Sequence, residues 1–386
     1  MNSGISSLGT YVRAGSLALL FSSTIAVTAP TLALAAAPEA APAPAAPSNC
    51  DAHDGLHFIC GPVASEDLIQ VPGAPLLVAS GMSPQGHGHL YLIDARSHKV
   101  ETLFPNPAAA PVKPEDAQSC ATPVDADHAS FAGLSVRRDA DGVTHLYAVN
   151  NARRSVEGFR FDAQTRQLQW ESCVKLPEGG FPNGVIALPD GGLLATSFFD
   201  SSDKDSQVRM ERGEPTGAVL EWHPGDAAFV PARNFPAVAG ANGIEVSADG
   251  KTAYVSAWSA GKLLIVSRAD GHVRELPLDF LPDNIHRLAD GTLLVAGQRA
   301  SVASLHHCGP DCPQPWEVTH VDPLHGTVDK LLAGSGDSLV NYSCGAVMVD
   351  GKLYFTARGA DRLVYAPMER LRAASQAPQP RPGSTS

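Results

Sequence analysis

The sequence predicts an all-β fold, a six-bladed β-propeller with four-stranded blades and a ring closed by an N-terminal strand. Three observations carry this. First, one hairpin recurs. "GVIALPDGGLLATSFF" (184–199), "GIEVSADGKTAYVSAW" (243–258), "NIHRLADGTLLVAGQ" (284–298) and "GAVMVDGKLYFTAR" (345–358) each read as an apolar strand, an Asp-Gly-type turn and a second strand. "GLSVRRDADGVTHLYAVN" (133–150) is a fifth copy with a longer turn, and "DLIQVPGAPLLVASG" (67–81) a sixth. Second, another strand pair follows each hairpin, giving six units at a mean spacing of about 50 residues. Third, helix signals are nearly absent: 31 Pro and 35 Gly punctuate the chain, and no long stretch keeps a 3.6-residue period. A β-sandwich would not repeat one hairpin six times. "GLHFICGP" (55–62) precedes the first hairpin and can supply the missing outer strand of the last blade.

The termini read differently. Arg13 forms a basic start, "SLALLFSSTIAVTAP" an apolar middle and Ala33-Leu34-Ala35 a cleavage pattern, so residues 1–35 read as a secretory signal. Ser, Thr and Pro interrupt the apolar run, which falls short of the roughly 20 residues of a membrane span. Residues 36–53 form an Ala/Pro-rich linker, 54–372 the propeller and 373–386 a Pro-rich disordered tail. Cys50 lacks the context of a lipidation site, so the reading is a periplasmic or secreted protein without a membrane anchor.

The formal charge of −12 becomes −13 once Arg13 leaves with the signal. Such an acidic surface, without a basic run, excludes nucleic acid and anionic lipid as partners. Seven cysteines in an exported chain suggest disulfides with one thiol left over. The pairing read from spacing and context is Cys50–Cys60, Cys308–Cys312 and Cys120–Cys173, with Cys344 free. "HHCGPDC" also offers two His and two Cys to zinc, although its spacing matches no known ligand framework.

In a propeller the inner strands start at one face beside the central channel, so their first residues converge. Those heads are Glu66-Asp67, Ala132-Gly133, Pro182-Asn183-Gly184, Ala241-Asn242-Gly243, Pro282-Asp283-Asn284 and Cys344-Gly345. Asp and Asn are poor strand formers, yet four of the six heads carry an oxygen-bearing side chain. Glu66, Asn183, Asn242, Asp283 and Asn284 together offer hard oxygen donors around one axis. That set suits Ca²⁺, and no soft ligand is expected. The competing explanation is that Asn-Gly is a turn tolerating positive φ. Repetition at equivalent positions favours the metal.

"GPVASEDLIQVPG", "NGVIALPDGG", "GANGIEVSADGKTAYVS" and "PDNIHRLADGTLLV" resemble the calcium-dependent six-bladed propeller hydrolases, which include serum paraoxonases, gluconolactonases and senescence marker protein. The resemblance covers nearly the whole chain after about residue 55. It is stronger to the paraoxonase branch, because Glu66-Asp67 and Asp283-Asn284 both match that branch's motifs. It implies that Glu66, Asn183, Asn242, Asp283 and Asn284 hold a catalytic Ca²⁺ that polarises the carbonyl of a lactone or ester.

The chain also departs from that pattern. Paraoxonases hold a second, structural calcium, partly through the Asp that Asp67 matches and partly through an Asp at the position of Gly184. They carry His where this chain has Ala132 and Asn151, so the histidine-pair mechanism does not transfer. The gluconolactonase branch implies Asp283 as general base on the metal. His128, on a loop before the second inner strand, is the reserve candidate. His306 and His307 fall in the long loop of blade five, and His286, inside an inner strand, reads as packing.

The function predicted is exported, calcium-dependent hydrolysis of lactones or aryl esters by water attack on a metal-polarised carbonyl. No Gly-x-Ser-x-Gly elbow points to a serine hydrolase. Substrate choice should rest on residues 200–216, read as a lid, and 299–316. Two alternatives stand: a non-enzymatic binding propeller with a bracing calcium, and a lactone isomerase or related chemistry on the same metal site. Strictosidine synthases lack this oxygen set, which counts against condensation chemistry.

Overall fold

The hairpin turns form as their residue types dictate. Asp190, Asp249 and Asp290 each accept an N–H from two residues on, donated by Gly192, Lys251 and Thr292 at 3.0–3.1 Å. The following glycines, Gly191, Gly250 and Gly291, adopt φ of 92°, 69° and 89°, which favours a residue without Cβ.

The structure is a computed structural model and describes residues 50–83, 87–106, 120, 122–307, 312–369 and 371. The expected signal at 1–35, the linker as far as residue 49 and the tail at 373–386 lie outside the described residues. Six four-stranded antiparallel sheets form the ring. Blade 1 contains Ser65–Gln70, Leu76–Gly81, His89–Asp94 and Val100–Phe104. Inner strands of blades 2 to 6 are Phe131–Arg138, Gly180–Ala187, Ala241–Val246, Leu281–Arg287 and Ala346–Val349. The N-terminal strand His57–Cys60 pairs with Arg362–Pro367 as the outermost strand of blade 6, so the first and last segments close the ring as expected. Two disulfides, Cys50–Cys60 and Cys120–Cys173, follow the expected pairing, and Cys344 is free and buried. Cys312 is also disulfide-bonded, while its expected partner, Cys308, lies outside the described residues.

Apolar clusters fill the spaces between neighbouring blades. Leu90 and Leu92 of blade 1 pack with Phe131, Leu134 and Phe159 of blade 2, and Leu294 and Val318 of blade 5 pack with Leu353 and Phe355 of blade 6. Because both faces of an inner sheet are covered, strands such as Leu76–Gly81 are buried at every residue. Outermost strands are covered on less of their surface, and Thr327–Gly334 begins with four exposed residues.

One feature recurs where the inner strands begin. Pairing to the second strand slips between Ser65 and Leu68, Phe131 and Leu134, Pro182 and Val185, Ala241 and Ile244, and Pro282 and Ile285. Each slip leaves the two head residues out of the ladder. Such β-bulges redirect side chains, here in five blades at the same place.

Candidate metal centre

The bulges and the close approach of the heads explain the Asn-Gly pairs. None of Asn183, Gly184, Asn242 or Gly243 has positive φ, so these pairs are not turns. A Cβ on Gly184 would stand 2.7 Å from the backbone oxygen of Asn242, and one on Gly243 would collide with that of Asp283. Glycine is therefore present because each head carbonyl abuts the preceding inner strand. Hydroxyls on the second strands satisfy the bulged N–H groups. Ser80 Oγ accepts from Asp67 N–H at 2.9 Å, and Thr196 Oγ1 accepts from Gly184 N–H at 2.7 Å. Thr356 Oγ1 accepts from both Cys344 and Gly345, at 2.9 and 3.0 Å.

The head side chains are left less well satisfied. Glu66, Asn242, Asp283 and Asn284 are buried and Asn183 is half-buried. Glu66 Oε2, Asn183 Oδ1, Asn242 Oδ1 and Asp283 Oδ1 are buried oxygens with no hydrogen-bond partner. Unsatisfied buried acceptors are costly and point to a missing partner. A cation that takes several oxygen ligands fits all four. Asn284 Nδ2 reaches the Glu66 carbonyl at 3.4 Å, which ties the fifth predicted residue to the group.

Electrostatics agree with this reading. Burial, then the charges of Asp283 and Asp67, push the Glu66 carboxyl well above the ordinary range. Burial likewise raises Asp283 to about 6, even though Gln298 donates a hydrogen bond to its Oδ2 at 2.8 Å. Gln298 is fully buried and held in turn by Trp258 Nε1, which donates to its Oε1 at 2.8 Å. The Trp258–Gln298 pair thus fixes one oxygen of Asp283 and leaves the other free.

A soft atom, not expected from the sequence, stands in the group. Cys344 Sγ lies within 4.8 Å of ligand atoms of Glu66 and Asp283. Burial, and then those two carboxylates, raise its thiol pKa, favouring the neutral thiol over a thiolate.

The surrounding histidines sit elsewhere or in other roles. His286, read as packing, is an ion-pair partner: its Nε2 lies 2.7 Å from Asp67 Oδ1. Burial opposes its charge, but Asp67 and then Glu245 override it, and its pKa is raised. Asp67 also accepts from the N–H groups of Leu68 (2.8 Å) and Leu134 (2.9 Å), so both its oxygens are engaged. The two positions to which the resemblance assigns a second ion thus differ here: Asp67 is engaged by His286 and two N–H groups, and position 184 is a glycine with no room for a side chain. Below His286 the channel opens into a cavity of about 320 Å³ at the opposite mouth, lined by Gln70, Ser135, Glu245 and Arg287.

His128 ends a single 3₁₀ turn (Ala126–His128), is exposed, and holds Asp125 Oδ1 at 2.7 Å through Nδ1. No hydrogen bond or ion pair among the described residues joins it to the five head residues. His306 and His307, expected in a loop, end helix α2 (Val302–His307), and segment 200–216 contains helix α1 (Ser206–Glu211). Met210 and Val302, with Phe198 and Leu305, pack on Trp258 and Leu281. His306 Nδ1 meets Glu211 at 3.3 Å. These apolar anchors were hidden within segments that look polar in sequence. The second-strand hydroxyls that cap the heads leave a readable signal, since Ser80, Thr196 and Thr356 recur at one point of three hairpins.

An arylesterase family model matches residues 64–359. The chain is 27% identical over 315 residues to a serum paraoxonase/lactonase 3 of Rattus norvegicus, covering 77% of this chain and 82% of that protein. It is 24% identical over 330 residues to a serum paraoxonase/arylesterase 2 of Gallus gallus, covering 80% and 86%. Among solved structures, a gluconolactonase of Xanthomonas campestris superposes with a TM-score of 0.51 at 18% identity, covering 84% of this chain and 97% of that one, a likeness of fold.

Proposed function

The chain belongs to the arylesterase family, and from that premise we propose that it is a calcium-dependent hydrolase of lactones or aryl esters. The single observation supporting the ion is the set of four partnerless buried oxygens, on Glu66, Asn183, Asn242 and Asp283. These, with Asn284, would hold Ca²⁺. When bound, the ion would polarise the substrate carbonyl and offset charge developing on its oxygen.

The chain's own residues supply the remainder. Asp283 is the proposed general base, and its Oδ2 is held by Gln298. It takes a proton as water adds to the carbonyl carbon, then returns it to the departing alkoxy or aryloxy oxygen. The bond to that oxygen breaks, leaving a carboxylic acid and an alcohol, or a hydroxy acid from a lactone. His128 serves less well, because it lies exposed on the surface with no hydrogen bond or ion pair to the head residues. Helices α1 and α2, anchored by Met210 and Val302, form a wall that would help select substrate. The disulfides suit an oxidising compartment, in keeping with an exported protein.

The test is hydrolysis of phenyl acetate and a panel of simple lactones by the mature chain, before and after EDTA and with Ca²⁺ restored. Turnover should vanish with chelation, return with calcium and be absent in Asp283→Ala. A folded, calcium-loaded protein inert to every substrate would instead support a binding propeller.

A further inference from the structure

Arg358 follows the second strand of blade 6 (Lys352–Ala357), two residues after Thr356, whose hydroxyl holds the Cys344-Gly345 head. Its guanidinium carbon lies 5.2 Å from the centre of the Tyr342 ring, and one Nη is 3.1 Å from Met82 Sδ. Its backbone N–H donates to the Tyr342 carbonyl at 3.1 Å. Those contacts hold the side chain in place but give the guanidinium no oxygen acceptor.

Among the described residues the other half-buried arginines each find an oxygen acceptor, Arg287 donating through Nε to the Val246 carbonyl at 3.0 Å. Arg137, Arg153, Arg166, Arg209 and Arg268 are also half-buried, and each reaches a carboxylate. The chain has 40 acidic residues to 28 Lys and Arg, so acidic partners are plentiful. Yet among the described residues Arg358 forms no ion pair with any of them. It also keeps part of its surface exposed, so its unused donors are open to a ligand.

The charge count gives this position its meaning. Two carboxylates, Glu66 and Asp283, would neutralise a divalent cation. Arg358 lies near enough for its charge to act on both. With Asp67 paired to His286, Arg358 therefore leaves one positive charge in excess beside the proposed ion site. A planar fork of N–H donors matches a carboxylate in shape as well as charge.

We propose that Arg358 is a specificity-determining residue that binds a free carboxylate on the substrate, so that the preferred substrates are lactones or esters carrying an acidic group beside the reacting carbonyl. This rests on reading the site as a hydrolase centre.

The test compares a γ-butyrolactone ring bearing a carboxylate with its neutral carboxamide, using the calcium-loaded mature chain and its Arg358→Met and Arg358→Lys variants. Calorimetry with tetrahydrofuroate, which has the carboxylate but no bond to hydrolyse, supplies a readout separate from turnover. Wild type should favour the carboxylate by about tenfold or more in kcat/KM, the scale of a charged hydrogen bond. Arg358→Met should erase that preference through KM, lowering kcat/KM far more for the carboxylate than for the carboxamide, and should lose tetrahydrofuroate binding. Arg358→Lys should retain part of both, which shows that the loss in Arg358→Met is not a folding defect. If neither lactone is hydrolysed but wild type alone binds tetrahydrofuroate, the carboxylate site stands and the hydrolase reading falls. Equal use of both lactones by wild type, or an equal loss on both in Arg358→Met, would overturn the proposal; the second result would mark Arg358 as an aid to every substrate.

Discussion

The two ends of the inner hairpins use the same residue types for opposite purposes. At the turns, Asp249 and Asp290 are exposed, accept hydroxyl and backbone hydrogen bonds, and have lowered pKa values for that reason. At the heads, Glu66 and Asp283 are buried, each keeps one oxygen without a partner, and burial raises their pKa values. An Asp whose oxygens are satisfied builds the fold. An Asp left wanting a partner in a buried ring is available for a cation.

Substituting at each end separates the two roles most sharply. Asp283→Ala should lower turnover by at least about 10²-fold, the scale for loss of a main electrostatic stabiliser. The same variant should lose calcium binding by calorimetry. Asp290→Ala should leave turnover unchanged and cost about 0.5–1.5 kcal/mol in urea unfolding, the worth of a hydrogen bond. Equal effects at the two ends would remove the distinction.

Acid should also act oppositely on the two ends. In chelated protein the raised carboxyls, Glu66 and Asp283, contribute stability that is full below their unfolded pKa. That contribution is lost as pH rises through about 6 for Asp283. The turn acids contribute stability above the unfolded carboxylate pKa and lose it only as pH falls through their depressed values. Calcium held as proposed would compete with protons at the heads alone. The rise in Tm on adding calcium should therefore grow between pH 5 and pH 7.5, scanned at fixed ion concentration. A constant increment would count against Glu66 and Asp283 as ligands.

The turns and the site differ in how much of each was legible in sequence. Asp-Gly repeats announce turns because φ above zero and a local Asp hydrogen bond are properties of neighbouring residues. For the same reason the six hairpins, and so the propeller with its closing strand, could be read directly. The ring of head residues was legible through repetition, since Asp and Asn recur where a strand resists them. What escaped were contacts made across blades. His286 looks like one more strand residue until Asp67, 219 positions away, meets it. Gln298 and Trp258 lie in separate blades, and only folding shows that one orients the other against Asp283. Helices α1 and α2 were missed because each has six residues, too few to display a period.

The His286–Asp67 pair yields a sharper count at the head end. With both Asp67 oxygens engaged and Gly184 walled in by Asn242, the chain should bind one calcium ion, measured by calorimetry after exhaustive chelation. A second tight ion would mean that His286 moves aside and that the heads hold more charge than the bulges expose.

The smallest effects compare glycine with glycine. Gly243 sits at a head, where an added Cβ would collide with the Asp283 backbone, while Gly291 turns with φ of 89° and has open space around its missing Cβ. Gly291→Ala should cost about 1 kcal/mol from backbone strain alone and leave calcium affinity unchanged. Gly243→Ala must push one inner strand from its neighbour, at about 1–3 kcal/mol, and should weaken calcium binding as well. Both are read by urea unfolding paired with calorimetry. The pairing matters because stability alone does not distinguish the two glycines. Only the head substitution displaces the Asp283 segment that carries a free oxygen, so a change in calcium affinity confined to Gly243→Ala would tie the spacing of the inner strands to the geometry of the ion site.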